Sequence, residues 1–564
     1  MKFSEFKYER PDYELMKEKY TSLLDRLEKA EDKETFIDIF YEIQKLDTIV
    51  STQANISNIR HSINTKDEFY DAENDYWDEH FPLYDVFSTR LGKICVECPF
   101  KEELYDRIPE VFFKLAECQI KSFDEKIIPL LQEENRLNSE YNKLRATAEI
   151  IYDGNTYNLS TIYPLTLSTD RKVRKESNEA VIKFYEDNEA EFDRIYDELV
   201  KVRTKIANEL GYKTFTEVGY LRMTRIDYDA EMVANYRRQI LEYVVPYNNK
   251  LYARQAKRLG LDKLEYYDIS TEFADGNPAP KGTYEEMLDA ASKMYHEMSE
   301  ETGSFIDMMM DGELFDLKSR DGKEMGGYCS SVAAYKVPFI FANFNGTSGD
   351  VDVLTHEAGH AFQYYMSRDI PINSLLWPTS ESAEISSMSM EFNAWPWMDL
   401  FFKEDADKYR FKHLGSALKF LPYGILIDHF QHEVYDHPEM TPDERKACFR
   451  RLEKMYLPQT DYSEAPFLEK GTYWYRQLHI FIVPFYYVDY TLAEVCALQF
   501  WARNHAGDRD AWKDYLALAS LGGTRSFTGL LEAAHLQKPF DDGALENTMK
   551  EVTAYLDSVD DSKF

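Results

Sequence analysis

Cysteine is scarce: six residues among 564, at 95, 98, 118, 329, 448 and 496, with no regular spacing. A disulfide-stapled secreted scaffold is therefore excluded. Cys95-Val-Glu-Cys98 is a single CxxC pair without the second pair that a zinc knuckle needs, so the thiols are expected to be reduced. Glycine and proline are also few, 23 and 20, and no Gly/Ser-rich linker, repeat or low-complexity tract marks a boundary. Basic residues fall well short of acidic ones, 66 against 101, for a formal net charge of −35. A field of that sign repels phosphate backbones and anionic headgroups, which argues against nucleic-acid and membrane partners. No uncharged run reaches the ~18 residues that cross a bilayer. The most apolar stretch, residues 480–501, contains Asp489 and Glu494 and reads as one buried helix. The opening MKFSEFKYERPDYELMKEKY has no apolar leader core, so the expected compartment is cytoplasmic. The sequence carries no signature of oligomeric state.

What is present points to a large folded core. Aromatics make up 15% of the chain, with 41 Tyr and 35 Phe, a composition that disordered chains lack. The length predicts more than one lobe. A helical N-terminal lobe is expected over 1–200 and a catalytic region over 201–564. Residues 13–29, 33–51 and 123–151 repeat apolar side chains at spacings of three and four. Asp32-Lys-Glu and Thr65-Lys-Asp-Glu look like helix starts, and Ala207-Asn-Glu-Leu-Gly211 looks like a helix closing on glycine. Residues 151–167 suggest short strands. Residues 316–329 read as a loop or hairpin, residues 335–344 as β, with Pro338 suggesting an edge, and 345–349 as a turn. Helical patterning dominates from Asp350 onward.

The segment Thr355-His356-Glu357-Ala-Gly-His360 contains HExxH. On a helix, residues four apart share a face, and two imidazoles there can converge on one tetrahedral metal. Glu357 beside the first histidine can reach a water and take its proton as a carbonyl is attacked. Apolar Val351, Val353, Leu354, Ala358 and Phe362 make this a largely buried helix, where an unpartnered pair of imidazoles would be costly. A third protein ligand would complete a catalytic zinc site with one open position. The metzincin continuation fails, since Gln363 and Met366 stand where Gly and His are needed. Candidates lie in Ser380-Glu381-Ser-Ala-Glu384-Ile-Ser-Ser-Met-Ser-Met-Glu391: Glu384 has small neighbours that permit close helix approach, Glu391 shares its face and could orient a histidine, and Glu381 reads as solvated. His429, His432 and His437 also cluster, without HExxH order; a structural or substrate-facing role is expected for them.

These motifs, with Pro338-Phe-Ile-Phe-Ala-Asn-Phe-Asn-Gly-Thr, Ala383-Glu384-Ile-Ser-Ser, Phe485-Tyr-Tyr487, Leu530-Leu-Glu-Ala-Ala and Pro539-Phe, resemble the thimet oligopeptidase and oligoendopeptidase F family of zinc metallopeptidases over about residues 200–550. Within it the chain is most similar to the bacterial branch that includes the Pz-peptidases, which act on collagen-derived peptides. The resemblance implies one zinc per chain, Glu384 as third ligand, and a mainly α, two-lobed molecule with a deep channel and a small β-sheet beside the HExxH helix. It also implies an edge strand near residues 339–344 that pairs with an extended substrate. It places a histidine and tyrosines near residues 471–490 as oxyanion donors. Relatives show His-Phe-Tyr-Tyr where this chain has Pro484-Phe-Tyr-Tyr487, so His479, with Tyr486, Tyr487 and Tyr490, takes that expectation; Asp489 is an alternative reader of a substrate amine. The expected function is zinc-dependent hydrolysis of short oligopeptides. The rivals are a zinc carboxypeptidase or other exopeptidase on the same scaffold, with Arg476 reading a terminus, and a non-catalytic helical peptide-binding protein.

Overall fold

The computed structural model describes residues 1–564 and is mainly helical, with two small sheets. The elements used below are helices α1 (Tyr13–Leu27), α2 (Lys33–Ile63) and α3 (Glu68–Glu97), the hairpin β1 (Ile150–Tyr152) and β2 (Asn155–Tyr157), helix α4 (Glu189–Leu210), strands β3 (Phe315–Lys318), β4 (Tyr328–Val332) and β5 (Val337–Phe344), and helices α5 (Gly349–Ser367), α6 (Ser380–Asn393), α7 (Leu478–Ile482) and α8 (Tyr487–His505). No helix is long and apolar enough to cross a membrane.

Helix boundaries follow capping chemistry. The Asp32 carboxylate accepts from Thr35 N (2.9 Å) at the start of α2, and Arg60 and His61 sit in its last turn, where cations complement the helix dipole. The cap of α3 is Asp67 rather than Thr65. Helix α4 buries Phe192, Ile195, Tyr196, Leu199 and Ile206 and ends on Gly211 at φ 88, where only glycine is unstrained.

The chain divides into two compact units, each assembled from three segments. One comprises Met1–Ile120, Pro278–Ala406 and Cys496–Lys538; the other comprises Lys121–Asn277, Asp407–Val495 and Pro539–Phe564. The first unit holds α1–α3, the three-stranded sheet, α5 and α6.

The strand order is β3-β5-β4, with β3 parallel and β4 antiparallel to β5. This corrects the edge assignment for residues 339–344: β5 is the central strand. Pro338 is tolerated there because β3 begins pairing only at Ile340, and because Pro338 faces Ser331, whose carbonyl turns away to accept from Asn55 Nδ2 (2.8 Å). The edges are β3 and β4, and β4 begins within the segment read as loop or hairpin, at Tyr328 and Cys329. Residues 480–501 are likewise not one helix: α7 and α8 are separated at Val483–Tyr486, where Pro484 precedes Phe485 at φ 69.

Candidate metal centre

Helix α5 starts where Asp350 accepts from Asn345 N (2.8 Å) and Gly346 N (2.7 Å), closing the turn that follows β5. Asp350 and Asp352 also suit the positive end of the helix dipole. The helix buries Val351, Leu354, Ala358, Ala361 and Phe362. One turn separates His356 from His360, whose ring centroids lie 5.0 Å apart. Helix α6 crosses close by, because Gly359 has no side chain: a Cβ there would lie 2.6 Å from both Ser386 O and Ser387 Cα. Tyr515 Oη donates to Ser386 O (2.9 Å) from the other side.

That approach brings Glu384 to the histidines. Its Oε2 lies 3.3 Å from His356 Nε2 and 3.5 Å from His360 Nε2. The three donor atoms all fall within 4.8 Å of one another. A tetrahedral ion with bonds of ~2.0–2.1 Å has ligand-to-ligand edges of about 3.3–3.4 Å, so two imidazoles and a carboxylate at these spacings fit zinc. The second imidazole nitrogen of His356 is also fixed, since Nδ1 donates to Glu391 Oε1 (2.8 Å) and Nε2 is left toward Glu384. Ser387 Oγ donates to Glu384 Oε2 (2.9 Å).

Electrostatics in this pocket are strong. Burial pushes the His356 imidazole down, but Glu384 and Glu391 together lift it well above its ordinary value. Burial alone would raise Glu384, yet the charges of His360 and His356 hold it well below the carboxylate range. Glu357 is raised, by burial first, with the two histidines opposing. Its neighbour is the Cys329 thiol of β4, itself pushed far up by burial and then by Glu357. Nothing in the sequence pointed to Cys329, because β4 was not recognisable as a strand. Glu381 corrects another expectation: it is buried, 1% exposed, and accepts from Thr379 Oγ1 (2.9 Å).

In the second unit His479, Tyr486, Tyr487 and Tyr490 come together. The His479 ring lies 4.8 Å from Tyr487, 5.7 Å from Tyr486 and 5.9 Å from Tyr490. Gln477 Nε2 donates to His479 Nδ1 (2.7 Å), leaving Nε2–H as a donor, and burial lowers the imidazole to about 4, so it is neutral. The only sequence signal for Gln477 is its place two residues before His479. The strained Phe485 is held by Gln431 Oε1, which accepts from its N–H (2.9 Å), and by Arg225, which donates to its carbonyl. A Cβ on Gly219 would meet the Phe485 ring at 2.4 Å, so that glycine is required.

Asp489 does not face a substrate amine: it is 0% exposed and paired with Arg225 (3.0 Å). His432 is bonded to Tyr220 Oη (3.0 Å) and His429 to Tyr456 Oη (3.0 Å), which gives that histidine cluster structural partners.

A model of the peptidase M3 N-terminal domain matches residues 3–123, and one of peptidase family M3 matches residues 165–550. The chromosomal oligoendopeptidase F of Lactococcus lactis subsp. cremoris is 24% identical over 202 residues, 36% of this chain, and the match spans 32% of that enzyme. The structure of Pz peptidase A with an inhibitor is 48% identical, with a TM-score of 0.93 over 100% of both chains. A Bacillus anthracis protein described as a candidate oligoendopeptidase F is 47% identical, with a TM-score of 0.88 over 100% of this chain and 99% of that one. With the family's catalytic model matched over most of its length and its fold shared end to end with such relatives, the chain belongs to peptidase family M3 and is a metalloendopeptidase.

Proposed function

We propose that the chain hydrolyses short oligopeptides with one zinc ion held by His356, His360 and Glu384, and with Glu357 as the base that deprotonates the attacking water. The observation that carries this reading is the pair of spacings from Glu384 Oε2 to the two Nε2 atoms, 3.3 and 3.5 Å, which match the edges of a tetrahedral zinc site. When bound, zinc supplies Lewis acidity to a water and to the scissile carbonyl. Glu357 accepts the water's proton and returns it to the leaving amine. Its burial supports that role, because a raised carboxyl is a stronger base near neutral pH. Glu391 keeps His356 in the tautomer that presents Nε2.

For the developing oxyanion the donors we propose are His479, Tyr486, Tyr487 and Tyr490. Neutral His479 offers Nε2–H, and Tyr486, Tyr487 and Tyr490 offer phenols; burial pushes Tyr487 upward and keeps it protonated. A substrate strand is proposed to pair with β4. Its outward groups are those of Cys329 and Ser331, and Asn55 already covers the Ser331 carbonyl, so the backbone at Cys329 is the docking point. The resemblance to Pz-peptidases adds collagen-derived peptides as a substrate class, and the compartment proposed is the cytoplasm.

Mass spectrometry of a mixed library of peptides capped at both ends tests this. Wild type with one zinc should cut internally, and Glu357→Gln should retain zinc while kcat falls by at least about 10³-fold. Near wild-type turnover by Glu357→Gln would overturn the base assignment, and activity confined to uncapped ends would overturn the endopeptidase.

A further inference from the structure

Helix α3 packs one side into the first unit and leaves the other to solvent. Trp77, Tyr84 and Leu91 turn inward, with the Tyr84 ring 5.5 Å from Tyr13 and 6.2 Å from Tyr20 of α1. Glu73 also turns inward, where it accepts from Arg10 Nε (2.9 Å). The outward side divides into two parallel lanes, because residues three, four, seven or eleven apart share a face of a helix. One lane is apolar: Phe69, Ala72, Leu83 and Val86, with Phe69 55%, Leu83 41% and Val86 63% exposed. The other is acidic: Asp71, Asp75, Asp78 and Asp85, all exposed.

The carboxylates of this face have no lysine or arginine to meet. Residues 68–88 hold seven Asp and Glu and no Lys or Arg. Asp71 reaches only His61 Nε2 (3.3 Å), and Asp78 only Asn74 Nδ2 (3.3 Å). Other exposed helices of the chain interleave the two signs: Arg136 lies 2.6 Å from Glu133, and Arg194 lies 2.8 Å from Glu191. Like charges three or four residues apart destabilise a helix, so Asp71 beside Asp75, and Asp75 beside Asp78, leave a field that an external cation relieves. Pro82 adds to it. Proline has no N–H, so the Asp78 carbonyl loses its helical donor and becomes a further acceptor in the acidic lane.

An apolar lane beside an unneutralised acidic one selects its occupant. Apolar side chains grouped on one exposed face mark a docking surface. A neutral partner would desolvate the carboxylates without compensation. A second copy would set acidic lanes side by side, in a chain already at −35. A partner that is apolar on one side and cationic on the other meets both lanes. From residue 69 to residue 86 the lanes run ~26 Å at ~1.5 Å per residue, the length of about eight extended peptide residues.

We propose that the outer face of α3 docks cationic amphipathic peptides, with their apolar side chains on Phe69, Leu83 and Val86 and their Lys or Arg along Asp71, Asp75, Asp78 and Asp85. This rests on the peptidase reading above for the fate of the docked peptide, and deepens it by naming a substrate class, held on the same unit as His356, Glu357 and His360.

Calorimetry tests the docking on the full chain carrying Glu357→Gln, with capped peptides of about 12 residues, short enough at ~1.5 Å each to lie along the lanes as helices. One is built from Lys and Leu, one from Lys and Ser, one from Glu and Leu. The Lys/Leu peptide should bind at least about 10-fold more tightly than either control. Asp75→Asn with Asp78→Asn should weaken it by about 2- to 30-fold, the worth of two exposed ion pairs, and added salt should act in the same direction. Leu83→Ala with Val86→Ala, which keeps good helix formers, should weaken it by about 10-fold, the worth of two methylene groups taken from water. In the zinc-loaded chain with Glu357 intact, both double variants should raise KM for the Lys/Leu peptide and leave kcat, and the KM of a neutral Ala/Gly peptide, unchanged. Docking without turnover would sink the peptidase reading and leave the docking surface standing. Binding of the Lys/Leu peptide that neither double variant weakens, equal binding of the Glu/Leu peptide, or a dimer in sedimentation velocity that Leu83→Ala with Val86→Ala dissolves, overturns the proposal.

Discussion

Replacing Gly359 by alanine tests the metal centre without touching a ligand. The new Cβ would lie 2.6 Å from Ser386 O, 2.6 Å from Ser387 Cα and 2.9 Å from Met390 Cβ. Two of these are backbone atoms of α6 and cannot rotate aside. Carbon contacts are comfortable at about 3.5 Å, so α6 must withdraw by about 0.9 Å. Glu384 rides on that helix, and metal–ligand bonds tolerate only about ±0.2 Å. The carboxylate therefore leaves its place beside the imidazoles, and zinc affinity should fall by at least about 100-fold, at the upper end of what loss of a supporting residue costs. Overpacking should also destabilise the metal-free protein by about 1–3 kcal/mol. Chelator-competition titration reads the affinity, and thermal unfolding of the stripped protein reads the packing. Gly415 is the control: it is also helical, but nothing lies within 4 Å of its added Cβ, so Gly415→Ala should leave zinc binding unchanged. Wild-type zinc affinity in Gly359→Ala would refute the claim that α6 is held at contact distance for the sake of Glu384.

Glu391→Ala should weaken zinc by about 10- to 100-fold, because it removes the acceptor for His356 Nδ1; the same titration measures it, and an unchanged affinity would deny Glu391 its orienting part. Asp47, which accepts from Tyr20 Oη and Gln44 Nε2, is raised by burial to about 6. Its folded form binds a proton more tightly than the unfolded chain, so it contributes stability that is full below pH ~4 and is lost as the pH rises through 6. Asp47→Asn does not titrate, so its stability relative to wild type should improve by about 1.4 kcal/mol between pH 5 and pH 8 in denaturant unfolding; a difference independent of pH would contradict it.

The HExxH turn was legible because ligand geometry is encoded in four consecutive steps of one helix, and α6 was legible because the small Ala383, Ser386 and Ser387 beside Glu384 advertise close packing. Burial of charge was not. Asp489 pairs with Arg225, 264 residues away, and Glu381 is enclosed by packing that hydropathy does not register. Pro338 misled because a proline in a strand signals a missing hydrogen bond, and here one is missing on an otherwise central strand. The break before α8 depends on Phe485 at positive φ, a conformation set by Gly219, Gln431 and Arg225 rather than by its own neighbours. The compact units are interleaved three segments to three, and no composition shift marks the crossings.

That interleaving sets the order in which the catalytic helices can mature. Helix α5 and helix α6 lie in the middle segment of their unit, but Tyr515, which bonds the carbonyl of Ser386 at their crossing, belongs to its last segment. A nascent chain can therefore coil both helices, yet the Tyr515 bond at their crossing cannot close until Tyr515 has been made, and the unit is not complete until Lys538 has been made. The crossing that carries Glu384 to the histidines is thus completed only when the third segment of its unit has been made.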